Sequence, residues 1–82
     1  MSTWFVYIVR CKNNSLYTGI TNDVDARLKA HNAGTSAKYT RAFGPVTLVY
    51  KQKMRSATLA RKREAAIKGL SKKEKERIVK VS

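Results

Sequence analysis

The run of aromatic and β-branched residues at positions 4–11 constrains the fold of this chain more than any other feature. It contains no glycine, proline or acidic residue that would interrupt a strand. Apolar side chains fill odd and even positions alike, which predicts a strand covered on both faces. Residues 12–15 (Lys-Asn-Asn-Ser) are typical of a turn, and residues 16–21 predict a second strand. Residues 4–21 are therefore predicted to form a β-hairpin whose first strand is packed from two sides.

Signals for a helix follow the hairpin. Thr21 or Asn22 can cap a helix that runs to about residue 33, because either side chain can accept a hydrogen bond from the first helical turn. Asp23 and Asp25 lie in that turn, where negative charge is favourable. Gly34 is placed to end the helix.

Three further elements follow a loop at residues 34–45. They are a strand at 46–50 that can extend to 54, a helix to 68 that Ser56 caps and Gly69 closes, and a helix to about 81. Ser71 and Glu74 have the spacing of a capping box for the last helix. The order ββαβαα predicts an α+β fold, in which a small three-stranded antiparallel sheet is flanked by helices.

The net charge is the first indication of function. The chain has 82 residues, which we take as a single domain over residues 1–82. Its 18 Lys and Arg against 5 Asp and Glu give a formal charge of +13, whereas solubility needs a net charge of only about 2 to 8. The excess predicts a polyanionic partner: nucleic acid, an acidic membrane surface or an acidic protein. We expect nucleic acid, and no particular residue supports a protein partner.

Composition excludes several classes of protein. The longest apolar run, residues 4–9, is far shorter than the roughly 20 residues of a membrane span. No basic segment precedes it as in a signal peptide. Cys11 is the single cysteine, so an internal disulfide and a Cys/His zinc cluster are excluded. We expect a cytoplasmic protein that does not bind membranes.

Arg27 and His31 are the first candidate site residues. Together with Val24 and Leu28 they fall on one helical face, since the four positions follow the i, i+3, i+4, i+7 spacing. A guanidinium can hold a phosphate while an adjacent imidazole moves a proton. Alternatively, Arg27 lies along the flank of the helix and His31 is a core-edge histidine that a backbone carbonyl satisfies.

Tyr7 and Tyr17 lie on the two hairpin strands, and the loop length decides whether they share a face. A two-residue loop places them on opposite faces, whereas a three- or five-residue loop places them on one face with Tyr7 opposite Gly19. In the second case Gly19 leaves space beside Tyr7 for a close approach by another molecule. Alternatively, both rings pack within the sheet while the hydroxyls meet water.

Glu64 lies in an otherwise basic helical segment and shares a face with Ala60 and Ile67. A carboxylate in this position can hold Mg²⁺ together with waters and phosphate oxygens. Alternatively, it forms an ion pair with Arg61 or Lys68.

The loop at 34–45 carries Lys38, Tyr39 and Arg41. These residue types together suit contact with a nucleic-acid backbone and a stacked base or sugar. A solvated loop without a ligand explains them equally well.

In their order along the chain, these residues resemble the GIY-YIG nuclease family. Phe5-Val6-Tyr7 and Tyr17-Thr18-Gly19 are similar to the two motifs that name the family. The spacing Tyr-x-Gly-(x)7-Arg-(x)3-His, followed by Glu64, is also similar to the family pattern. The resemblance covers about residues 3–80, and it extends to Leu-Tyr-Thr-Gly-Ile-Thr, Ala-Lys-Tyr-Thr and Pro-Val-x-Leu-Val-Tyr stretches of small stand-alone bacterial members.

The resemblance implies metal-dependent cleavage of DNA phosphodiester bonds on one face of the sheet, in repair or recombination. By position, Tyr7 and Tyr17 are the motif tyrosines, Arg27 holds the phosphate, His31 relays a proton or contacts the scissile phosphate, and Glu64 binds Mg²⁺ or Mn²⁺. Lys38 and Tyr39 fall near a less constant family position.

Two features depart from the family pattern. Phe5 stands where the first motif has its glycine. Many family members also carry a second domain that chooses the DNA, and we expect none in this chain. We therefore expect selectivity for DNA structure, such as branched or single-stranded regions, rather than for sequence. Within the second motif, Thr18 is expected to face away from the tyrosines.

Two functions are consistent with these residues. In an endonuclease, Arg27, a metal ion and the charge of the chain should all favour a tyrosine phenolate. Tyr7 or Tyr17 could then take a proton from water, and we expect Tyr7 to be the base with help from His31. The alternative is a non-catalytic basic module that binds nucleic acid on the same fold.

Overall fold

The structure is a computed structural model that describes residues 3–35, 42 and 44–81, and the statements below concern those residues. Its elements are β1 (Trp4–Arg10), β2 (Leu16–Thr21), α1 (Val24–Asn32), β3 (Thr47–Met54), α2 (Ala57–Lys68) and α3 (Lys72–Val81). The predicted order ββαβαα and the α+β class are confirmed. The third strand takes the longer of its two predicted extents.

The three strands form one antiparallel sheet in the order β2-β1-β3. β1 is the central strand, and its residues 6–9 are all buried. The prediction of a strand covered on both faces is therefore confirmed. Consecutive residues of this strand are apolar because alternate side chains enter opposite layers of the core.

Each face of the sheet has its own apolar cluster. On one face Val6 and Ile8 pack with Ala60 and Ile67 of α2, and residues of α3 add to this cluster. On the other face, Tyr7 and Val9 pack with Cys11 and Val46, and Leu28 of α1 covers part of them. We call this second side the tyrosine face. Among the described residues, no helix is long and apolar enough to cross a bilayer.

The helix caps follow local sequence, with one correction. Ser56 caps α2 by accepting a hydrogen bond from the Leu59 N–H, as predicted. The α1 cap is neither Thr21 nor Asn22 but Asp23, whose carboxylate accepts from the Ala26 N–H at 3.0 Å. Thr21 is unable to serve because it is a buried strand residue whose hydroxyl accepts from the Asp23 N–H instead.

The capping box of α3 is also confirmed. The Ser71 hydroxyl accepts from the Glu74 N–H, and the Glu74 carboxylate accepts from the Ser71 N–H at 3.1 Å. Glu76, on the same helix, forms two hydrogen bonds with the Arg10 guanidinium, at 2.8 and 2.6 Å. This pair ties α3 to the end of the central strand.

Candidate active site

The two motif tyrosines lie on the same face of the sheet. Tyr7 pairs with Gly19 and Val9 pairs with Tyr17, so the tyrosines are diagonal neighbours across β1 and β2. The last strand pair is Arg10 with Leu16, which leaves residues 11–15 as the connection. The odd number of connecting residues settles the alternative that the sequence left open. Thr18 pairs with Ile8 on the opposite face, as expected.

The turn chemistry explains this loop length. The Cys11 N–H donates to the Ser15 carbonyl at 2.8 Å, and the Asn14 N–H donates to the Cys11 carbonyl at 2.9 Å. Asn14 has φ 69°, a left-handed conformation that asparagine tolerates better than most residues. The Asn13 carboxamide oxygen accepts from the Ser15 N–H and hydroxyl. These contacts set the register that brings Tyr17 beside Tyr7.

His31, on α1, contacts both tyrosines. The Tyr7 hydroxyl and His31 Nε2 are 2.8 Å apart in a buried hydrogen bond. The imidazole also meets both tyrosine rings edge to face, with centroids 5.7 Å from Tyr7 and 5.3 Å from Tyr17. His31 is 1% exposed and Tyr7 3% exposed. His31 is therefore a buried histidine, and the Tyr7 hydroxyl is a partner of its Nε2 where the alternative had a backbone carbonyl.

Arg27 lies one helical turn before His31 and is exposed. Its positive charge lowers the pKa of His31 and acts to lower the pKa of Tyr7, so the guanidinium is within electrostatic reach of both. Burial is the larger cause of the lowered His31 pKa. The imidazole is consequently neutral at pH 7 and can accept a proton.

The ionisation of Tyr7 differs from the expectation based on charge. Burial, followed by the neighbouring Tyr17, raises the pKa of Tyr7 from 10.0 to about 12; Arg27 opposes this rise and Glu64 adds to it. Arg27 acts in the expected direction, but without a metal ion the desolvation of the phenol outweighs this one exposed guanidinium. Tyr7 is a protonated phenol at neutral pH.

Glu64 lies on α2, which packs against the opposite face of the sheet from Tyr7. Its side chain is 22% exposed and its carboxylate lies 3.2 Å from the Lys68 ammonium, so the predicted ion-pair alternative is observed with Lys68. Its charge contributes to the raised pKa of Tyr7, which places it within electrostatic range of the tyrosine face. The pair with Lys68 is half exposed and therefore weak, so it leaves the carboxylate available to a stronger cation.

The donor set suits a hard divalent cation with few protein ligands. Within the described residues, no group of three His, Cys, Asp or Glu side chains could enclose a metal. Mg²⁺ commonly binds one or two carboxylates and completes its shell with water and phosphate oxygens. The other acids already have structural roles at caps and in the Arg10 pair, or are exposed, as Asp25 is. Glu64 therefore fits a magnesium or manganese ion that is shared with a phosphate.

Gly19 has a steric role within the site. A Cβ at this position would lie 2.5 Å from the Tyr7 hydroxyl oxygen and 2.7 Å from Cζ. The group that approaches Gly19 in this structure is thus the Tyr7 phenol, where the sequence suggested space for another molecule. The missing side chain lets the phenol lie over β2 and reach His31.

We expect Gly19→Ala to destabilise the protein by about 1–3 kcal/mol, because the Tyr7 ring must move. The matched control is Gly69→Ala, whose Cβ would have only ordinary contacts of 3.6 Å with two carbonyl oxygens of α2. That change should be neutral or stabilising, by about 0.4–1 kcal/mol. Urea unfolding measures both variants. Equal stability of the two variants would contradict the steric role of Gly19.

Some predicted residues are not among those that the structure describes, and two cations on the tyrosine face were missed. Lys38, Tyr39 and Arg41 fall outside the described residues. Lys51 and Lys53 were not singled out, yet they pair with Tyr7 and Phe5 and therefore project from the tyrosine face. Their alternation in a strand extended to residue 54 was the signal that could have found them.

Known proteins are similar to this chain in sequence and in fold. Residues 3–77 match the family model of the GIY-YIG catalytic domain. A UPF0213 protein of Staphylococcus haemolyticus is 48% identical over 79 residues, which is 96% of each chain. A UPF0213 protein of Clostridium perfringens is 48% identical over 75 residues, 92% of this chain and 81% of its own. The solution NMR structure of a UPF0213 protein of Bacillus halodurans is 44% identical, with a TM-score of 0.64, and the match covers 98% of this chain and 85% of that one.

Proposed function

The chain belongs to the GIY-YIG family of nuclease domains, and on that premise we propose that it is a metal-dependent endonuclease that hydrolyses DNA phosphodiester bonds. The observation that carries the proposal is the buried hydrogen bond between Tyr7 and His31, with Tyr17 packed against the same imidazole. A neutral histidine joined to a neutral tyrosine forms a path for one proton. A module that only binds DNA has no need of such a path.

In the proposed reaction, Arg27 meets the phosphate. It is exposed one helical turn before His31, and a guanidinium can hold two phosphoryl oxygens at once. Its charge opposes the negative charge that grows on these oxygens as water attacks. Stabilisation of this kind is greatest in the transition state and therefore raises the rate.

Tyr7 and His31 manage the proton of the attacking water. Since the pKa of Tyr7 is about 12, the phenol cannot act as a free phenolate at pH 7. We propose that Tyr7 takes the proton from water while its own proton passes to His31 Nε2. The lowered pKa of His31 keeps that nitrogen free to accept. Tyr17 holds the imidazole edge to face and limits its rotation.

Glu64 would hold Mg²⁺ or Mn²⁺. The ion, when bound, supplies Lewis-acid stabilisation of charge on the phosphate and on the leaving oxygen. The Lys68 ammonium lies 3.2 Å from one oxygen of the same carboxylate and would compete with the ion for it.

The alternative is a non-catalytic module that binds nucleic acid through its charge of +13. The two functions differ in how much more the loss of Arg27 should cost than the loss of another exposed cation. Lys62 is the matched control, because it is exposed on α2. In a module held by diffuse charge, loss of either cation weakens binding by a similar, salt-dependent amount.

The test is a cleavage and binding assay of wild type, Arg27→Ala and Lys62→Ala. The substrates are plasmid, single-stranded and branched DNA, with Mg²⁺ or Mn²⁺ and then with EDTA. We expect metal-dependent cleavage that falls about 10²- to 10³-fold in Arg27→Ala, the loss typical of one transition-state donor, while Lys62→Ala cleaves nearly as wild type. If wild type binds every substrate and cleaves none, and both variants bind equally less, the binding module is the correct function.

A further inference from the structure

The tyrosine face continues beyond the proposed catalytic residues onto a second surface. It consists of Phe5 on β1 with Lys51 and Lys53 on β3, and we call it the phenylalanine platform. Phe5 is two residues before Tyr7 and so projects from the same face about 7 Å away, twice the rise per strand residue. Lys53 pairs with Phe5 and Lys51 pairs with Tyr7. The platform and the proposed catalytic residues therefore adjoin.

Phe5 is more exposed than the core residues of its strand, as a residue that contacts a ligand would be. It is half-buried, whereas the next four residues of β1 are buried. Neither apolar cluster of the described residues includes it. A partly exposed aromatic ring on a sheet offers its face to a ligand that can stack.

Both lysines of the platform are exposed. The Lys51 ammonium lies 5.8 Å from the centre of the Phe5 ring. A cation over an exposed ring is held more weakly than a stacked base, so a base can replace it and leave the ammonium free for a phosphate. One aromatic ring flanked by two exposed cations suits a nucleotide, which joins a flat base to an anionic backbone.

We propose that the phenylalanine platform binds an unpaired nucleotide next to the scissile phosphate, with its base stacked on Phe5 and its backbone on Lys51 and Lys53. This inference deepens the proposed function and rests on it, because it names the part of the substrate that this face recognises. The base must be unpaired, since a paired base already has neighbours on both faces within the duplex. The substrate class is thus DNA with a single-stranded segment beside the cleaved bond.

The test compares Phe5→Leu with Phe5→Trp in binding without metal. Leucine keeps the apolar bulk and removes the ring face, whereas tryptophan keeps a ring that can stack. The probes are a fluorescent thymidine oligonucleotide and a duplex of equal length, both in EDTA so that no cleavage occurs. We expect Phe5→Leu to weaken single-strand binding by about 5- to 100-fold, the cost of one lost stack. Duplex binding should not change, and Phe5→Trp should retain single-strand affinity.

Two further readouts make the test specific. The fluorescence of Phe5→Trp should be quenched by the single strand, beyond any change in wild type from Trp4. Lys51→Ala should reduce the salt dependence of single-strand binding by about 0.7 log units per log unit of salt, the value for one phosphate contact. Lys62→Ala, on α2, is the control for loss of a lysine elsewhere.

The outcomes separate this inference from the proposed function. If Phe5→Leu binds the single strand as wild type does, or loses single strand and duplex equally, the platform does not bind an unpaired base. If Phe5→Leu loses single-strand binding while wild type cleaves no DNA with metal, the platform is correct and the endonuclease proposal is wrong. If wild type cleaves DNA and Phe5→Leu binds and cleaves as well as wild type, the endonuclease proposal is correct and the platform proposal is wrong.

Discussion

Glu64→Gln is expected to lose at least about 10³-fold of the metal-dependent cleavage rate. The amide keeps the size of the side chain but removes the charge that we propose to bind Mg²⁺ or Mn²⁺. A metal that stabilises charge in a phosphoryl transition state contributes several kcal/mol, and each 1.36 kcal/mol is a factor of ten in rate. DNA binding in EDTA should be retained, because the variant removes a negative charge from a basic protein.

The matched control for Glu64→Gln is Asp25→Asn, which removes one negative charge from an exposed position in the first turn of α1. It should cleave nearly as wild type. Calorimetric titration with Mn²⁺ gives a second readout: wild type in the presence of uncleavable DNA should bind the ion, and Glu64→Gln should bind it much more weakly. Full activity of Glu64→Gln, or equal Mn²⁺ binding by both proteins, would show that Glu64 does not hold the metal.

Tyr7→Phe is expected to lower the cleavage rate by about 10²- to 10⁴-fold, the usual contribution of a positioned proton-transfer group. The ring that packs with Val9 and over Gly19 remains, while the hydroxyl that meets His31 is lost. DNA binding should therefore persist while catalysis fails. Tyr17→Phe is the matched comparison, and we expect it to cost less. A larger loss in Tyr17→Phe would assign proton acceptance to Tyr17.

The same variant has a stability readout at alkaline pH that is independent of catalysis. Tyr7 has a pKa of about 12 in the folded protein against 10.0 as the ordinary value. Above pH 10 the unfolded chain loses this proton while the folded protein keeps it, so wild type loses stability as the pH rises from 10 to 12. The loss is up to about 3 kcal/mol. Tyr7→Phe lacks it, so the unfolding free energy of wild type relative to the variant should fall across that range. A constant difference would contradict the buried phenol.

Much of the fold was predictable because its signals are local. Consecutive apolar residues mark the central strand, Ser56 and Ser71 mark helix starts, and Gly34 marks a helix end with φ 77°. Each of these signals involves only residues that are close together in the sequence, within one helical turn or one strand. The cap of α1 was predicted wrongly because three capping residue types, Thr21 to Asp23, stand in a row. Burial in β2 removes Thr21, and the hydrogen bond from the Ala26 N–H to the Asp23 carboxylate identifies Asp23 as the cap.

The site was predictable as a set of residues but not as an arrangement. The spacing of Tyr7, Tyr17, Arg27 and His31 identified the family, whose match is confirmed. A change of one residue in the length of the hairpin loop decides whether the two tyrosines share a face. The observed length is set by hydrogen bonds at Cys11, Asn14 and Ser15. The sequence could not rank these turns, because several loop lengths suit Lys-Asn-Asn-Ser.

The order of elements, the apolar strand at residues 4–10 and the basic charge could be read from the sequence, since they follow from composition and short-range periodicity. The candidate residues of the site followed from the resemblance to the family. The raised pKa of Tyr7, the contact between Tyr7 and His31 24 positions apart, and the position of Lys51 beside Phe5 could be read only from the folded chain. The reason is that the desolvation of a side chain and its long-range contacts both depend on many residues that are distant along the chain. Charge counted along the sequence favoured a phenolate, but burial of Tyr7 among its packed neighbours keeps the proton on the phenol.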